Sequence, residues 1–520
     1  MKLLLISLVA GCALVAQAPP EATARGHVIV RVSLEEGTPD AEGYRAAAAA
    51  AGAFHRAPVV SWDGEDFDAL TDMLRRRQVS SAQFVLRPQT LDLVLHRRIL
   101  LAAARLDDDW FCDLSFGYLT AEDGRGCQEL WRRIERRHRD GVVQGTWWRA
   151  SVTSNPSSLH YPSAAPATAA AAGLQGPHYY FSTRNQDRDA MIERALATLP
   201  DAQVAVFIGN SDPQGIWLFD GKRNLDRSLH WDYDPARVGE DPRGEMPRLT
   251  ASRFRDLTLD APVLWSGTCH SGAVHRVFVE GDIVSTFGRT ERVTVHRLAP
   301  SRSLALSWLR AGAASMLVPL GANHGMSVSM EVDFALRNGA SLGETIKSTY
   351  DDVLLACRGD LELDLPVDGA AHGRDGYVMQ GGGANRALIG DPLLRPFPAV
   401  TSPVEAVAAE RTDGGLRVTV TRARGWHPRS WDMYRRSRGE DSRALVRVDL
   451  DALGLTAAAT RDAAVSVTAT KPVGAAAPCR VTRSAVESHG GRRYLHLQAN
   501  GSRADLDREP VTFVFDVELR

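Results

Sequence analysis

Lysine is almost missing from this chain: Lys2, Lys222, Lys347 and Lys471 are the only four in 520 residues, and arginine carries the rest of the basic charge. With the many alanines, this points to a GC-rich bacterial genome and says little about chemistry. An excess of either charge is missing too. The formal net charge of −2 gives no reason to expect nucleic acid or an anionic membrane surface as partner. Beyond the N-terminus, no apolar run is long enough to cross a bilayer. Cysteine is scarce, at six. Neither its spacing nor that of the histidines matches a zinc pattern, so no structural metal and no cofactor are expected.

What is present is core-forming material. A 44% hydrophobic content over 520 residues suffices for two or more globular domains. The N-terminus, MKLLLISLVAGCALVAQA, has one basic residue and then a short apolar stretch, the pattern of an export signal over residues 1–18. Val9-Ala10-Gly11-Cys12 matches a bacterial lipobox, in which the signal is cut before a cysteine that then carries lipid. Cleavage after Ala16-Gln17-Ala18 would instead place Pro19 first, which signal peptidases tolerate poorly. The expectation is a cell-envelope lipoprotein anchored through Cys12, with secretion or a periplasmic location as the alternative. Cys112, Cys127, Cys357 and Cys479 form an even set able to pair in an oxidising compartment, with Cys112 and Cys127 as the nearest couple.

Residues 19–57 are small and alanine-rich, with AAAAAAGAF at 46–54, and read as a tether or a short helix. From 58 to about 400, strand-like runs alternate with helical ones. The strand-like runs are Gln83–Leu86, Tyr179–Ser182, Val204–Ile208, Val263–Trp265 and Ala314–Leu320. The helical ones are Phe67–Arg76, Gly126–Arg137, Asp187–Ala197 and Arg302–Ala311. That alternation predicts an α/β domain built on a parallel sheet. The low-complexity patch at 163–177 reads as a surface loop. Over 401–520, LRVTVTRA, RALVRVDL, AVSVTAT, RYLHLQA and VTFVFDVEL alternate with period two between turn residues, which predicts a small antiparallel β-sandwich.

The most telling segment is APVLWSGTCHSGAVH, residues 261–275. Its apolar run ends at small residues that deliver Cys269 into a turn, and Ser271-Gly272-Ala273-Val274 reads as the entry to a helix. A thiol there would meet backbone N–H groups and the positive end of a helix dipole, both of which favour the thiolate. Ligands of an open parallel sheet bind where the turns leave the carboxyl ends of the strands. Three turns should meet there: Gly209-Asn210-Ser211-Asp212, the Gly267–Gly272 turn, and Gly321-Ala322-Asn323-His324-Gly325. A cysteine nucleophile also needs a base and oxyanion donors, for which the N–H groups around Gly267 and Gly272 are candidates.

The Ser-Gly-Thr-Cys-His-Ser-Gly turn, LSWLRAGAASMLVPLGANHG (306–325), ALIGDPLLRPF (387–397) and the acidic lead of residues 106–134 follow one another as in gingipain-type cysteine peptidases. The chain resembles that family over roughly residues 58–400, and the Cys-His-Ser-Gly tetrapeptide is similar to that of metacaspases. The resemblance implies a caspase-like parallel sheet flanked by helices, an immunoglobulin-like β-sandwich after it, Cys269 as nucleophile and a peptide or protein substrate. The family's strand before the cysteine strand ends in a His-Gly pair that carries the base. Here that strand reads VAVFIGNSDPQG, with Asn210 where the histidine is expected. An asparagine cannot take a proton near neutral pH. His324 is the substitute of choice, with Glu331 on the next helix as a residue that could orient its ring, and with His270 and His230 as weaker candidates. The chain is therefore read as a cysteine endopeptidase of the cell envelope or, with Asn210 for histidine, as an inactive pseudopeptidase serving as a surface binding or assembly module. Two smaller features read as structural. Asp391 caps a turn that Pro392 fixes. Asp107-Asp108-Asp109 could bind calcium but reads better as a solvated turn.

Overall fold

The structure is a computed structural model that describes residues 26–34, 39–143, 149–153, 178–182, 188–208, 210–217, 248–284, 289–321, 323, 328–357, 383–398, 405–413, 415–422, 442–455, 466–469, 480–489, 491–501 and 511–518. Elements up to residue 140 are β1 (His27–Val32), α1 (Pro39–His55), β2 (Val59–Trp62), α2 (Phe67–Arg76), β3 (Ser81–Val85), α3 (Leu93–Ala103), β4 (Ser115–Leu119) and α4 (Gly124–Asp140). Next come β5 (Arg149–Thr153), β6 (His178–Ser182), α5 (Arg188–Thr198), β7 (Val204–Ile208), β8 (Asn210–Asp212), β9 (Gly215–Trp217), β10 (Arg248–Thr250) and α6 (Ala251–Arg255). They are followed by β11 (Val263–Ser266), β12 (Arg276–Val284), β13 (Arg289–Arg297), α7 (Leu304–Ala311), β14 (Ser315–Pro319), α8 (Val328–Asn338), α9 (Leu342–Cys357) and β15 (Arg386–Ile389).

Ten of these strands form one sheet in the order β2-β1-β3-β4-β15-β14-β11-β7-β5-β6. The pairs β2/β1, β1/β3 and β3/β4 are parallel, as are β14/β11, β11/β7, β7/β5 and β5/β6. β15 runs antiparallel to β14 and meets β4 through the single pairing Ile389–Tyr118. The short apolar runs of the sequence are thus the buried interior of a mostly parallel sheet, where both faces are covered and strands read as continuous hydrophobic stretches.

The first element lies in a segment expected to be a tether. HVIVRV is instead β1, buried between β2 and β3. The alanine-rich run after it is α1, which buries Ala41, Tyr44, Ala47, Ala48 and Ala51 on one face, a helical spacing. Small residues serve here because α1 and α4 cross at Gly43 and Gly124: a Cβ on Gly43 would stand 2.4 Å from the Gly124 carbonyl carbon. The α/β unit therefore begins at β1. Helix α4 matches the amphipathic pattern of the sequence and is capped by Asp123, whose carboxylate accepts the Gly126 N–H at 2.7 Å.

The C-terminal strands are β16 (Glu405–Thr412), β17 (Gly415–Arg422), β18 (Ser442–Asp449), β19 (Ser466–Ala469), β20 (Arg480–His489), β21 (Arg492–Gly501) and β22 (Val511–Glu518). They form two antiparallel sheets, β16-β17-β22-β19 and β18-β21-β20. Leu416, Val418, Phe515 and Val517 of one share a core with Val446, Val448, Leu495 and Leu497 of the other. Period-two alternation supplies this, since every second side chain of a strand faces the opposite sheet.

Helix α9 carries the contact to this second unit. Lys347 Nζ sits 2.6 Å from Asp351 Oδ2 and 2.5 Å from Glu487 Oε1, all three buried. Phe111 stacks on His496 at 4.4 Å. Asp107 and Asp109 form a capped turn beside it: the Asp109 N–H donates to Asp107, Phe111 N–H to Asp109 Oδ1, and Ser488 N–H of β20 to Asp109 Oδ2. Among the described residues, no helix is long and apolar enough to cross a membrane.

Candidate active site

The carboxyl ends of β7, β11 and β14 lie side by side, because Val263 is in register with Val204 on one neighbour and with Ser315 on the other. Burial of Val263, Leu264 and Trp265 fixes β11 in the interior, and Trp265 stacks on Phe397 at 6.1 Å. The strand stops where hydroxyls take over. Ser266 Oγ and Thr268 Oγ1 are 2.8 Å apart, and Ser271 Oγ donates to the Thr268 carbonyl at 2.9 Å while lying 2.8 Å from Ser266 Oγ. His270 follows at φ 56°, the left-handed region that a residue with a Cβ adopts only when its surroundings impose it.

Three turns converge on this point. The partly exposed Cys269 has its Sγ 3.3 Å from the backbone N of Asn323, which donates to it. The Asn323 side-chain Nδ2 donates to the Gly267 carbonyl at 2.9 Å, and Ser211 Oγ donates to the Cys269 carbonyl. An N–H aimed at sulfur favours the thiolate over the thiol, since hydrogen bonding to the charged form stabilises it. The same edge carries the start of α3, where Arg276 pairs with Asp92 at 2.7 Å and a Cβ on Gly321 would lie 2.9 Å from Leu93.

Several expectations need correction. The turn after Cys269 leads not into a helix but into the hairpin β12–β13, because RVFVEGDIV and RTERVTVHR carry β-branched residues at strand spacing. No helix dipole acts on the thiol from that side. The N–H groups of Gly267 and Gly272 are not oxyanion donors: they donate to the carbonyls of Phe207 (2.8 Å) and Pro319 (2.9 Å). Those of Thr268, His270 and Ser271 are likewise used within the protein. Gly272 is needed for closeness instead, as its Cβ would meet Val318 Cγ2 at 2.6 Å and the Pro319 carbonyl oxygen at 2.9 Å. Glu331 holds Arg386 through both carboxylate oxygens, at 2.6 and 2.5 Å, and Arg386 in turn donates to the carbonyls of Ser266 and Leu317. These bonds give no support to an orienting role toward His324. They brace β11 and β14 from beneath. Cys112 and Cys127 are separate buried thiols, not a disulfide; burial pushes both well above the usual thiol range.

Asn210 is the first residue of β8, paired through its backbone with Trp217. Gly209, His324, His230 and Cys12 lie outside the described residues.

A second polar group at the amino ends of the strands escaped the sequence reading. His27 is the first residue of β1, His55 the last of α1, His138 lies in the last turn of α4, and Asp391 follows β15. The Nε2 atoms of His55 and His138 stand 2.6 and 2.8 Å from the same Asp391 oxygen, Oδ2. Oδ1 accepts the Leu393 N–H at 2.8 Å, the turn cap expected for this residue. Burial lowers the His27 pKa to about 4, so that ring is neutral. Burial works against charge on Asp391 as well, but the two histidines beside it outweigh that and hold its carboxyl far below the usual range. No local motif announces the group, as its members come from four distant parts of the chain.

No family model matches the sequence, and no curated protein matches it either. Among solved structures, the chain is similar to the Arg-specific cysteine proteinase gingipain R, with 11% identity and a TM-score of 0.40 over 96% of this chain and 98% of that one. It is also similar to the complex of Porphyromonas gingivalis RgpB pro- and mature domains (10% identity, TM-score 0.38, 94% and 99% covered). A third likeness is to the Saccharomyces cerevisiae separase-securin complex (9% identity, TM-score 0.31), covering 63% of this chain and 17% of that one.

Proposed function

We propose that this chain is a gingipain-like cysteine endopeptidase of the bacterial cell envelope, with a caspase-like catalytic domain, Cys269 as nucleophile and His324 as base. The observation that carries this reading is the Asn323 N–H donated to Cys269 Sγ at 3.3 Å. It ties Asn323, the residue that precedes His324 in the sequence, to the thiol. In the reaction, the thiolate adds to the scissile carbonyl. The tetrahedral intermediate collapses as the base returns a proton to the leaving amine, and water hydrolyses the acyl-thioester. The Asn323 amide, already facing the sulfur, takes the oxyanion role that Gly267 and Gly272 do not fill. The paired C-terminal sheets serve as an immunoglobulin-like sandwich, and residues 1–18 export the chain, with Cys12 as lipid anchor.

The second reading, a pseudopeptidase that binds protein or peptide at the same edge, is favoured by Asn210 at the usual place of the base. One series of variants separates the two. Cleavage of a fluorogenic peptide library and labelling by an acyloxymethyl ketone peptide are measured for the wild type, Cys269→Ala, His324→Ala and Asn210→His. The endopeptidase reading expects wild-type cleavage that Cys269→Ala abolishes and His324→Ala lowers about a hundred- to ten-thousand-fold. An inert wild type whose Asn210→His variant cleaves is a pseudopeptidase on a competent scaffold. For the anchor, Cys12→Ala moves the chain from membranes to the soluble fraction.

A further inference from the structure

The group at the amino ends of the strands has the makings of a closed metal centre. His27, His55 and Asp391 are buried, and each offers one ligand atom within 4.8 Å of the others. His138 Nε2 reaches the same Asp391 oxygen at 2.8 Å; it lies outside the set of atoms that are all within 4.8 Å of one another and has to swing inward to serve as a fourth ligand. As a hydrogen-bonded network alone the set is incomplete. His55 and His138 can both donate to Asp391 Oδ2, but His27 Nε2 is buried without a hydrogen-bond partner, a costly state for a polar atom. The other His27 nitrogen, Nδ1, lies 3.0 Å from Ser81 Oγ on β3. A hydrogen bond at one ring nitrogen fixes the tautomer that turns the other toward a metal. Asp391 Oδ1 is likewise held, by Leu393. Phe54 and Trp131 pack edge-on to the His55 ring at 5.0 and 5.7 Å and wall the site from water.

We propose that His27, His55, His138 and Asp391 together hold one divalent transition-metal ion, with zinc as the best fit, as a structural centre. Three imidazole nitrogens and one carboxylate oxygen are the borderline donor set that zinc takes in four-coordinate sites, at about 2.0–2.2 Å. The shared oxygen and the two histidine nitrogens, at 2.6 and 2.8 Å, need to move apart by about half to one ångström to reach the ligand spacing of such a tetrahedron. The ion satisfies His27 and replaces two protons shared on one oxygen. It also fastens β1, α1, α4 and the segment after β15 to one another. With four protein ligands it leaves no open position for substrate, and it lies at the sheet edge opposite Cys269. Its ligands are scattered along the sequence, which is why no spacing motif reveals it.

The test uses the full chain, stripped with a chelator and titrated with Zn²⁺ or Co²⁺. Expected are one equivalent of zinc per chain by elemental analysis, the visible absorption bands of four-coordinate cobalt, and a rise in melting temperature on zinc addition. Asp391→Asn and His27→Gln should lose the cobalt bands and the zinc-dependent rise. Ser81→Ala, a mild change outside the ligand set, should weaken zinc binding about 10–100-fold. Cys269→Ala should keep the bands. The proposal fails if folded wild-type chain takes up no stoichiometric metal, if Ser81→Ala and His27→Gln bind as the wild type does, or if Cys269→Ala abolishes the bands.

Discussion

The backbone N–H of Asn323 and the sulfur of Cys269 are 3.3 Å apart, so the turn after β14 grips the thiol carried by the turn after β11. The Asn323 side chain fixes that amide by donating to the Gly267 carbonyl. Asn323→Ala removes a partner from a part-buried carbonyl, a loss of about 1 kcal/mol, and loosens the N–H from the sulfur. The variant should melt several degrees lower. Its Cys269 should alkylate with iodoacetamide more slowly near neutral pH, with the pH–rate profile displaced upward. An unchanged profile would mean that the amide does not tune the sulfur.

Gly272 tests the packing of the same turn. A methyl there meets Val318 Cγ2 and also a backbone carbonyl oxygen, at 2.6 and 2.9 Å. A carbonyl cannot swing aside as a side chain can. Gly272→Ala should cost about 1–3 kcal/mol, the usual range for overpacking, and adding Val318→Ala should recover only part of it. Urea denaturation of the single and double variants measures this, and full recovery would place the strain on Val318 alone.

Arg386 and Glu331 form a buried pair beneath β11 and β14. Arg386→Met leaves Glu331 buried without its counter-charge, which should cost about 3–5 kcal/mol. Replacing both by methionine should be milder than Arg386→Met alone, because no unpaired charge remains. A denaturation cycle over the two single variants and the double variant decides. A double variant worse than the single one would show that the Arg386 bonds to the Ser266 and Leu317 carbonyls matter more than the ion pair.

Much of the sheet was legible because buried parallel strands are short apolar runs bounded by turn residues, as in Val204–Ile208 and Val263–Trp265. The convergence of the three turns then followed from strand adjacency. Two kinds of signal misled. The run of six alanines at 46–51 in α1 looks like a linker, since alanine contributes little hydrophobic contrast, yet small size is what a close crossing at Gly43 and Gly124 requires. Beyond Cys269, the expectation of a helix overrode the period-two pattern of β12. Contacts that depend on tertiary closure left no local trace. The grip of Glu331 on Arg386 spans 55 residues, and that of His55 on Asp391 spans 336.

Protonation of buried carboxyls at the junction of the two units makes stability depend on pH. Burial, with Asp107 and Glu487 nearby, raises Asp109 to about 7 even though two backbone N–H groups pull the other way. Burial and the neighbouring Asp107 and Asp109 raise Asp113 as well. A carboxyl with a raised folded pKa keeps its proton between about pH 4 and pH 7, where the unfolded chain has already released its own. The folded state then binds more protons, and the unfolding free energy falls as pH rises. This contribution is therefore fully present in acid, shrinks through that window, and is gone above it. Asp109→Asn keeps the acceptor for the Phe111 N–H while removing the charge. The difference in melting temperature between variant and wild type should thus grow in the variant's favour from pH 5 to pH 8, with release of the C-terminal unit by limited proteolysis following the same trend. A difference independent of pH would show that Asp109 titrates as an ordinary exposed carboxylate and that the junction does not sense protons through it.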